Sequence, residues 1–266
     1  MLSRILRTAK LLVDRQFYIA FVACSLPAVL FYKSPAALSY AALAYMGALF
    51  LATCTAYQWH HAFYHQTSKP ASLIAFLMQA PNIGRIGAMA LLCCWLPLYV
   101  LGVVVLLVVL SFLYSYPLLG SWDIKPLNRY GQLKPFVLSA VWVLASAYLP
   151  MRMMAKMDLV LLFRYSFMVW ISCSLFDARD AAKDTANQVR TLANSYSPQI
   201  FHALLYLLVL VYMVLSCTLS SCSGVEIIRG IAAMVCIRYY ASCSAYVFEV
   251  AINGLLLFFA LMQLFV

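Results

Sequence analysis

The stretch "FHALLYLLVLVYMVLSCTL", residues 201–219, carries no Asp, Glu, Lys or Arg. At the ~1.5 Å rise of an α-helix it reaches the thickness of a bilayer's hydrocarbon core, for which roughly 20 apolar residues suffice. Two further runs read the same way, "FYIAFVACSLPAVLFY" (17–32) and "AALSYAALAYMGALFLATCTAY" (36–57). The whole chain supports them. Hydrophobic residues make up 66% of it and charged residues only 10%, well below the ~25% charge of a soluble domain. Extending the pattern predicts an all-α integral membrane protein with about nine transmembrane helices. They fall near 17–33, 36–57, 84–99, 100–118, 134–150, 156–176, 200–219, 228–246 and 248–266.

Residues 1–15 read differently. Arg4, Arg7, Lys10 and Arg15 surround an apolar stripe of Leu2, Ile5, Leu6, Ala9, Leu12 and Val13, the period of an interfacial amphipathic helix. Residues 16–266 then form a single transmembrane domain. A cleavable presequence is not expected from the run after it, which points to a bacterial inner membrane. The basic residues are dense in the N-terminal segment and in 58–85, 119–134 and 177–199, which alternate onto one side. That side, with the N-terminus, is expected to be cytoplasmic. The net charge of +10 is absorbed by these basic loops, so it implies no nucleic acid. The nine cysteines lie almost wholly in apolar runs and read as core residues, although a Cys217–Cys222 disulfide is conceivable. Arg164 reads as snorkelling to an interface, and Arg238 with Glu249 as an ion pair.

Acidic residues are scarce, eight in all, and three sit in "SLFDARDAAKDTANQVR" (174–190). Asp177, Asp180 and Asp184, at i, i+3 and i+7, lie within about 60° of one another on a helix, with Arg179 and Lys183 turned away. Gathering like charges on one face costs repulsion, so a cation is expected to offset it. Hard oxygen ligands suit Mg²⁺, which takes one or two carboxylates, keeps waters and completes its shell with phosphate. The alternative is a solvated helix end.

The sequence "FDARDAAKDTANQVRTLA" (176–193) resembles the second aspartate-rich motif of the UbiA-type membrane prenyltransferases, D-x-x-D-x-x-x-D followed by a basic residue and Thr-Leu. "LYSYPLLGSWDIKPLNRYGQLKPFVLSAVWVLASAYLP" (113–150) is similar to that family's Tyr-Ser at the end of the fourth span, its basic loop and its Trp-containing fifth span. The resemblance implies a nine-helix bundle of two pseudo-repeated halves. It also implies an isoprenoid diphosphate held through Mg²⁺, and transfer of its prenyl group to an acceptor inside the membrane. On it, Asp180 and Asp184 are the metal-binding, catalytic pair and Asp177 the preceding acid. Lys125, Arg129, Lys134 and Arg190 would face the diphosphate, and Tyr114 would stand beside the cavity.

The chain departs from that family in its first half. The first aspartate motif belongs in "TAYQWHHAFYHQTSKPAS" (55–72), yet no acid occurs between Asp14 and Asp123. The stretch offers His60, His61 and His65 instead. His61 and His65 are spaced i, i+4, a weak transition-metal pattern, and imidazole is a poor Mg²⁺ ligand. Tyr57 and His61 are alternatively donors to a bound phosphate or acceptor. No P-loop, dinucleotide-binding glycine motif, nucleophile elbow or zinc-protease motif is present. Two readings stand, a prenyltransferase working through one metal site and a non-catalytic relative that binds an isoprenoid phosphate or acts as a scaffold. A small transporter ranks behind both, because the spans hold few polar residues at mid-depth.

Overall fold

A computed structural model describes residues 16–34, 39–64, 80–115, 130–219 and 223–266. The described chain is helical throughout. In order it forms α1 (Phe17–Tyr32), α2 (Tyr40–Tyr64), α3 (Ala80–Cys93), α4 (Leu98–Ser115), α5 (Lys134–Met153), α6 (Leu159–Ala186), a single turn α7 (Leu192–Ser195), α8 (Pro198–Leu219), α9 (Ser223–Tyr239) and α10 (Ala245–Met262). Among the described residues, five segments are long and apolar enough to cross a membrane: Tyr40–His60, Lys134–Met153, Leu159–Ala186, Pro198–Leu219 and Ala245–Phe265. Phe17–Tyr32, Asn82–Cys93 and Leu98–Ser111 are shorter apolar helices. Helices of this composition associate with a bilayer, where every backbone group must be bonded internally. The amphipathic segment expected at 1–15 lies outside the described residues.

Several boundaries differ from the hydropathy reading. α2 continues past Tyr57 to Tyr64, and α6 continues past Phe176 to Ala186. In both, a helix outruns its apolar stretch into polar sequence that the composition treats as loop. The last two helices divide earlier than expected, because Ser244 caps α10 by accepting from the Val247 N–H. Asp158 does the same for α6, accepting from the Leu161 N–H at 2.9 Å.

α6 is the central helix. Fifty-six per cent of its apolar window is buried, against 28% for α2 and α8. It packs on α5, α8 and α10, and its Tyr165, Met168, Val169, Ile171 and Leu175 join Tyr212 of α8 and Phe259 of α10 in the main core. α1 bridges to a second core, where Phe31, Tyr45, Leu96, Val100 and Leu149 bring α1, α2, α4 and α5 together.

α5 is not uniform. Residues Leu144–Tyr148 form a π-turn, with the Leu149 N–H bonded to the Leu144 carbonyl. Pro150 supplies the cause: it has no N–H for the Ser146 carbonyl, so the ladder widens by one residue there. The Tyr45 hydroxyl of α2 donates to the Ala145 carbonyl in this turn, tying the two halves of the chain.

Candidate functional site

The ends of α6 and α5 meet. Lys134, the first residue of α5, places its Nζ 2.9 Å from Asp177 Oδ1 and 3.0 Å from Asp184 Oδ2. All three side chains are buried. The cation that offsets the acidic face is thus a lysine from another helix, in the middle of the two outer carboxylates. Two oxygens within 3 Å of one nitrogen lie at most about 6 Å apart, which at an effective dielectric of 20 means about 3 kcal/mol of mutual repulsion. Each ammonium contact returns about 5 kcal/mol on the same scale. The bridge therefore holds both carboxylates together, although desolvation of three ions takes back much of the gain. Lys183, on the same helix as both acids, interacts electrostatically with Asp184 as well. Asp177 Oδ2 is buried with no hydrogen-bond partner.

Asp180, a turn on from Asp177, belongs to a second, half-exposed group. The Arg179 Nε stands 3.0 Å from Asp180 Oδ1, and Arg179 Nη1 stands 3.0 Å from Glu249 Oε1 of α10. The guanidinium lies 5.1 Å from the ring centre of Phe176 and 5.2 Å from that of Phe248. The acidic face is therefore split: Asp177 and Asp184 turn inward to Lys134, and Asp180 turns to its neighbour Arg179. Glu249 pairs with Arg179 rather than with Arg238, which is exposed. Sequence spacing placed Arg179 away from the acids, but adjacent side chains can still touch when one is as long as arginine.

The segment ahead of Lys134 is held at close range. A Cβ on Gly131 would lie 2.1 Å from the Arg190 carbonyl oxygen and 2.8 Å from the Thr191 nitrogen. Only glycine permits that approach of backbones. On the other side, Thr191 and Asn194 form a capping box that fixes α7. Arg190 itself is exposed, on the loop between α6 and α7. Lys125 and Arg129 lie outside the described residues.

Further along α5 is an apolar cavity of about 390 Å³. Its walls come from α1 to α5, with Tyr45, Tyr57, Trp59 and Trp142 as the aromatic surfaces. Leu138 and Trp142, one and two turns beyond Lys134 on α5, lie on its wall. The Tyr57 side chain hydrogen-bonds with Trp142 and feels both Arg179 and Glu249 electrostatically. His60 packs on Tyr114, ring centres 5.7 Å apart. Tyr57 is thus at the cavity and Tyr114 is beside His60 rather than among the wall residues. The His61 side chain and His65 lie outside the described residues.

A second charged cluster stands at the opposite end of α6, and the sequence reading missed it. Arg164 is buried, not snorkelling: its Nη1 is 3.4 Å from Glu226 Oε1 and its Nη2 donates to the Ser216 carbonyl at 3.1 Å. Arg229, fully buried, reaches Glu226 Oε1 at 2.6 Å, donates to the Phe259 carbonyl at 3.1 Å and lies 4.2 Å from the centre of the Phe259 ring. The Tyr212 hydroxyl donates to Glu226 Oε2 at 2.5 Å. Two guanidiniums face one carboxylate, but Ser216 and Phe259 lie in the last turns of α8 and α10. These C-termini carry partial negative charge, while Glu226 stands in the first turn of α9, whose N-terminus is partially positive. Pairing the few ionisable residues inside apolar runs by depth was the available signal: Arg164, Glu226 and Arg229 all sit near the same end of their helices.

For Mg²⁺ the donor chemistry of the acidic end fits in kind: only carboxylate oxygens converge there, and Asp177 Oδ2 is an unpartnered buried acceptor. Asp177 and Asp184 are the residues that would hold it, with Asp180 at the rim. Among the described residues, no three His, Cys, Asp or Glu side chains form a ready-made cage, because Lys134 stands between the two inner acids. Comparison with family models, with characterised proteins and with solved structures finds no match to this chain.

Proposed function

We propose that this chain is a UbiA-like membrane protein that binds an isoprenoid diphosphate and transfers its prenyl group to an acceptor within the membrane. The observation that carries the reading is the aromatic-walled cavity of about 390 Å³, whose wall includes Leu138 and Trp142, one and two turns from the Lys134 that bridges Asp177 and Asp184. An apolar chain suits the cavity, and a charged head suits the cluster. Lys134, with Arg190 and the basic residues Lys125 and Arg129 of the preceding loop, would neutralise the diphosphate. Mg²⁺ bound by Asp177, Asp180 and Asp184 would supply further charge neutralisation for the leaving diphosphate. The ring faces of Tyr57 and Trp142 are suited to shield a developing allylic cation. In this reading the described helices belong to a nine-helix bundle of two halves in a bacterial inner membrane, with the acidic end cytoplasmic. The test is consumption of labelled prenyl diphosphate in nanodiscs. Turnover that is equal in wild type and in the double variant Asp180→Asn/Asp184→Asn rejects the proposal.

A specific observation favours a second reading, binding without turnover. The inner carboxylates are already bridged by Lys134, and no acid lies between Asp14 and Asp123 to build an opposing metal site. This reading predicts a Mg²⁺-dependent thermal shift with an isoprenoid phosphate and no product.

A further inference from the structure

Lys134 occupies the position between two carboxylates that a divalent cation would need. From this we infer that Lys134 is a displaceable resident counter-ion: it keeps metal out of the site until a diphosphate draws its ammonium away, so metal and diphosphate bind only together. The inference rests on the reading of this end as a metal–diphosphate site.

The geometry argues for exchange rather than coexistence. An ammonium contacts its oxygens at 2.9 and 3.0 Å, whereas Mg²⁺ requires about 2.1 Å and a tighter gathering of ligands. Both cannot use Asp177 Oδ1 and Asp184 Oδ2 together. Charge points the same way. A dication added beside the ammonium would set two cations against each other across the same two carboxylates in a buried site. A diphosphate relieves that repulsion and offers the ammonium new oxygen partners.

The backbone geometry identifies the part able to move. Gly131 seats the chain before α5 on the Arg190–Thr191 backbone, so the start of α5 is fixed relative to the end of α6. The flexible element is the four-carbon lysine side chain. The first turn of α5, from which this side chain springs, favours a phosphate. Among the described residues, Asp177 and Asp184 are the ion-pair partners of the ammonium.

The experiment uses the full chain in nanodiscs, Mn²⁺ as a paramagnetic stand-in for Mg²⁺, and inorganic pyrophosphate as the anion, with free Mn²⁺ read by electron paramagnetic resonance. In the wild type, pyrophosphate is expected to tighten Mn²⁺ binding at least tenfold beyond Mn²⁺–pyrophosphate association in empty nanodiscs. Lys134→Met is expected to bind Mn²⁺ alone at least tenfold more tightly than the wild type, with little further gain from pyrophosphate. Lys134→Gln, which keeps hydrogen-bond donors for the two carboxylates, carries the same expectation where Lys134→Met does not fold. Equal Mn²⁺ affinity in wild type and variant, with pyrophosphate still binding, overturns the inference and leaves the proposed function standing. Absence of Mn²⁺-dependent pyrophosphate binding in every variant overturns both.

Discussion

Glu226→Gln isolates the energetics of the buried cluster at the far end of α6. The substitution keeps the shape of the side chain and one acceptor for the Tyr212 hydroxyl, but removes the charge facing Arg229 at 2.6 Å and Arg164 at 3.4 Å. At an effective dielectric of 20, each contact of about 3 Å is worth about 5 kcal/mol, before the smaller desolvation cost of the neutral amide is credited back. Breaking a buried ion pair from one side costs about 3–5 kcal/mol in practice. The helix ends at Ser216 and Phe259 still accept from the two guanidiniums, which sets the expectation at the low end, about 3 kcal/mol. For a chain of this size that corresponds to about 6–12 °C in melting temperature, at roughly 2–4 °C per kcal/mol. The assay is loss of helical circular dichroism on heating in a fixed detergent. The matched control is Glu249→Gln, whose pair with Arg179 is about a third exposed; it should cost no more than about 1 kcal/mol. A Glu226→Gln shift below about 2 °C, or one no larger than that of Glu249→Gln, would refute the claim that Glu226 locks this cluster.

Other perturbations bear on the acidic end. Asp184→Asn keeps the contact between Lys134 and Asp177, whereas Lys134→Met leaves two buried carboxylates without their shared cation. In metal-free buffer the lysine variant should therefore melt at the lower temperature, and the reverse order would contradict the bridge. Gly131→Ala places a Cβ against backbone that cannot rotate away, so both melting temperature and pyrophosphate-dependent Mn²⁺ binding should fall. Leu138→Trp grows into the cavity just below Lys134. It should leave the melting temperature near wild type while removing co-purified lipid, measured by mass spectrometry.

How far the sequence could be read depends on whether an interaction lies within one helix or between two. The apolar runs anticipate an all-helical membrane protein, since that signal is the composition of a single segment. Of the nine spans expected, five described helices are long and apolar enough to cross, and those at 17–32, 82–93 and 98–111 are shorter. The i, i+3, i+7 spacing likewise anticipates that Asp177 and Asp184 share a face, and that something cationic must meet them. It could not name Lys134, because its approach depends on how α5 packs on α6, and a lysine opening an apolar run looks the same as ordinary interfacial charge. Arg164 fails for the same reason. Read along its own helix it is an arginine near an end, free to snorkel; its burial is decided by Glu226 on α9 and the Ser216 carbonyl on α8. The π-turn in α5 had a local cause in Pro150, so it was legible in principle from sequence.

α6 spans from one ion cluster to the other, with about 20 Å of helix separating Arg164 from Asp177. The two clusters differ in a way that bears on where the molecule can respond to a ligand. At the Arg164 end, two guanidiniums face one carboxylate and two helix C-termini, and the side chains are almost wholly enclosed. Arg164 Nε and Arg229 Nε have no partner there, but both guanidiniums are tied to carbonyls on other helices. At the acidic end Asp177 Oδ2 has no partner and the cation is on a long, flexible side chain. A dication arriving with an anion would give that oxygen and that ammonium new partners. Ligand-driven change is therefore expected at the Lys134 end, while the Arg164 end keeps α6, α8, α9 and α10 in register.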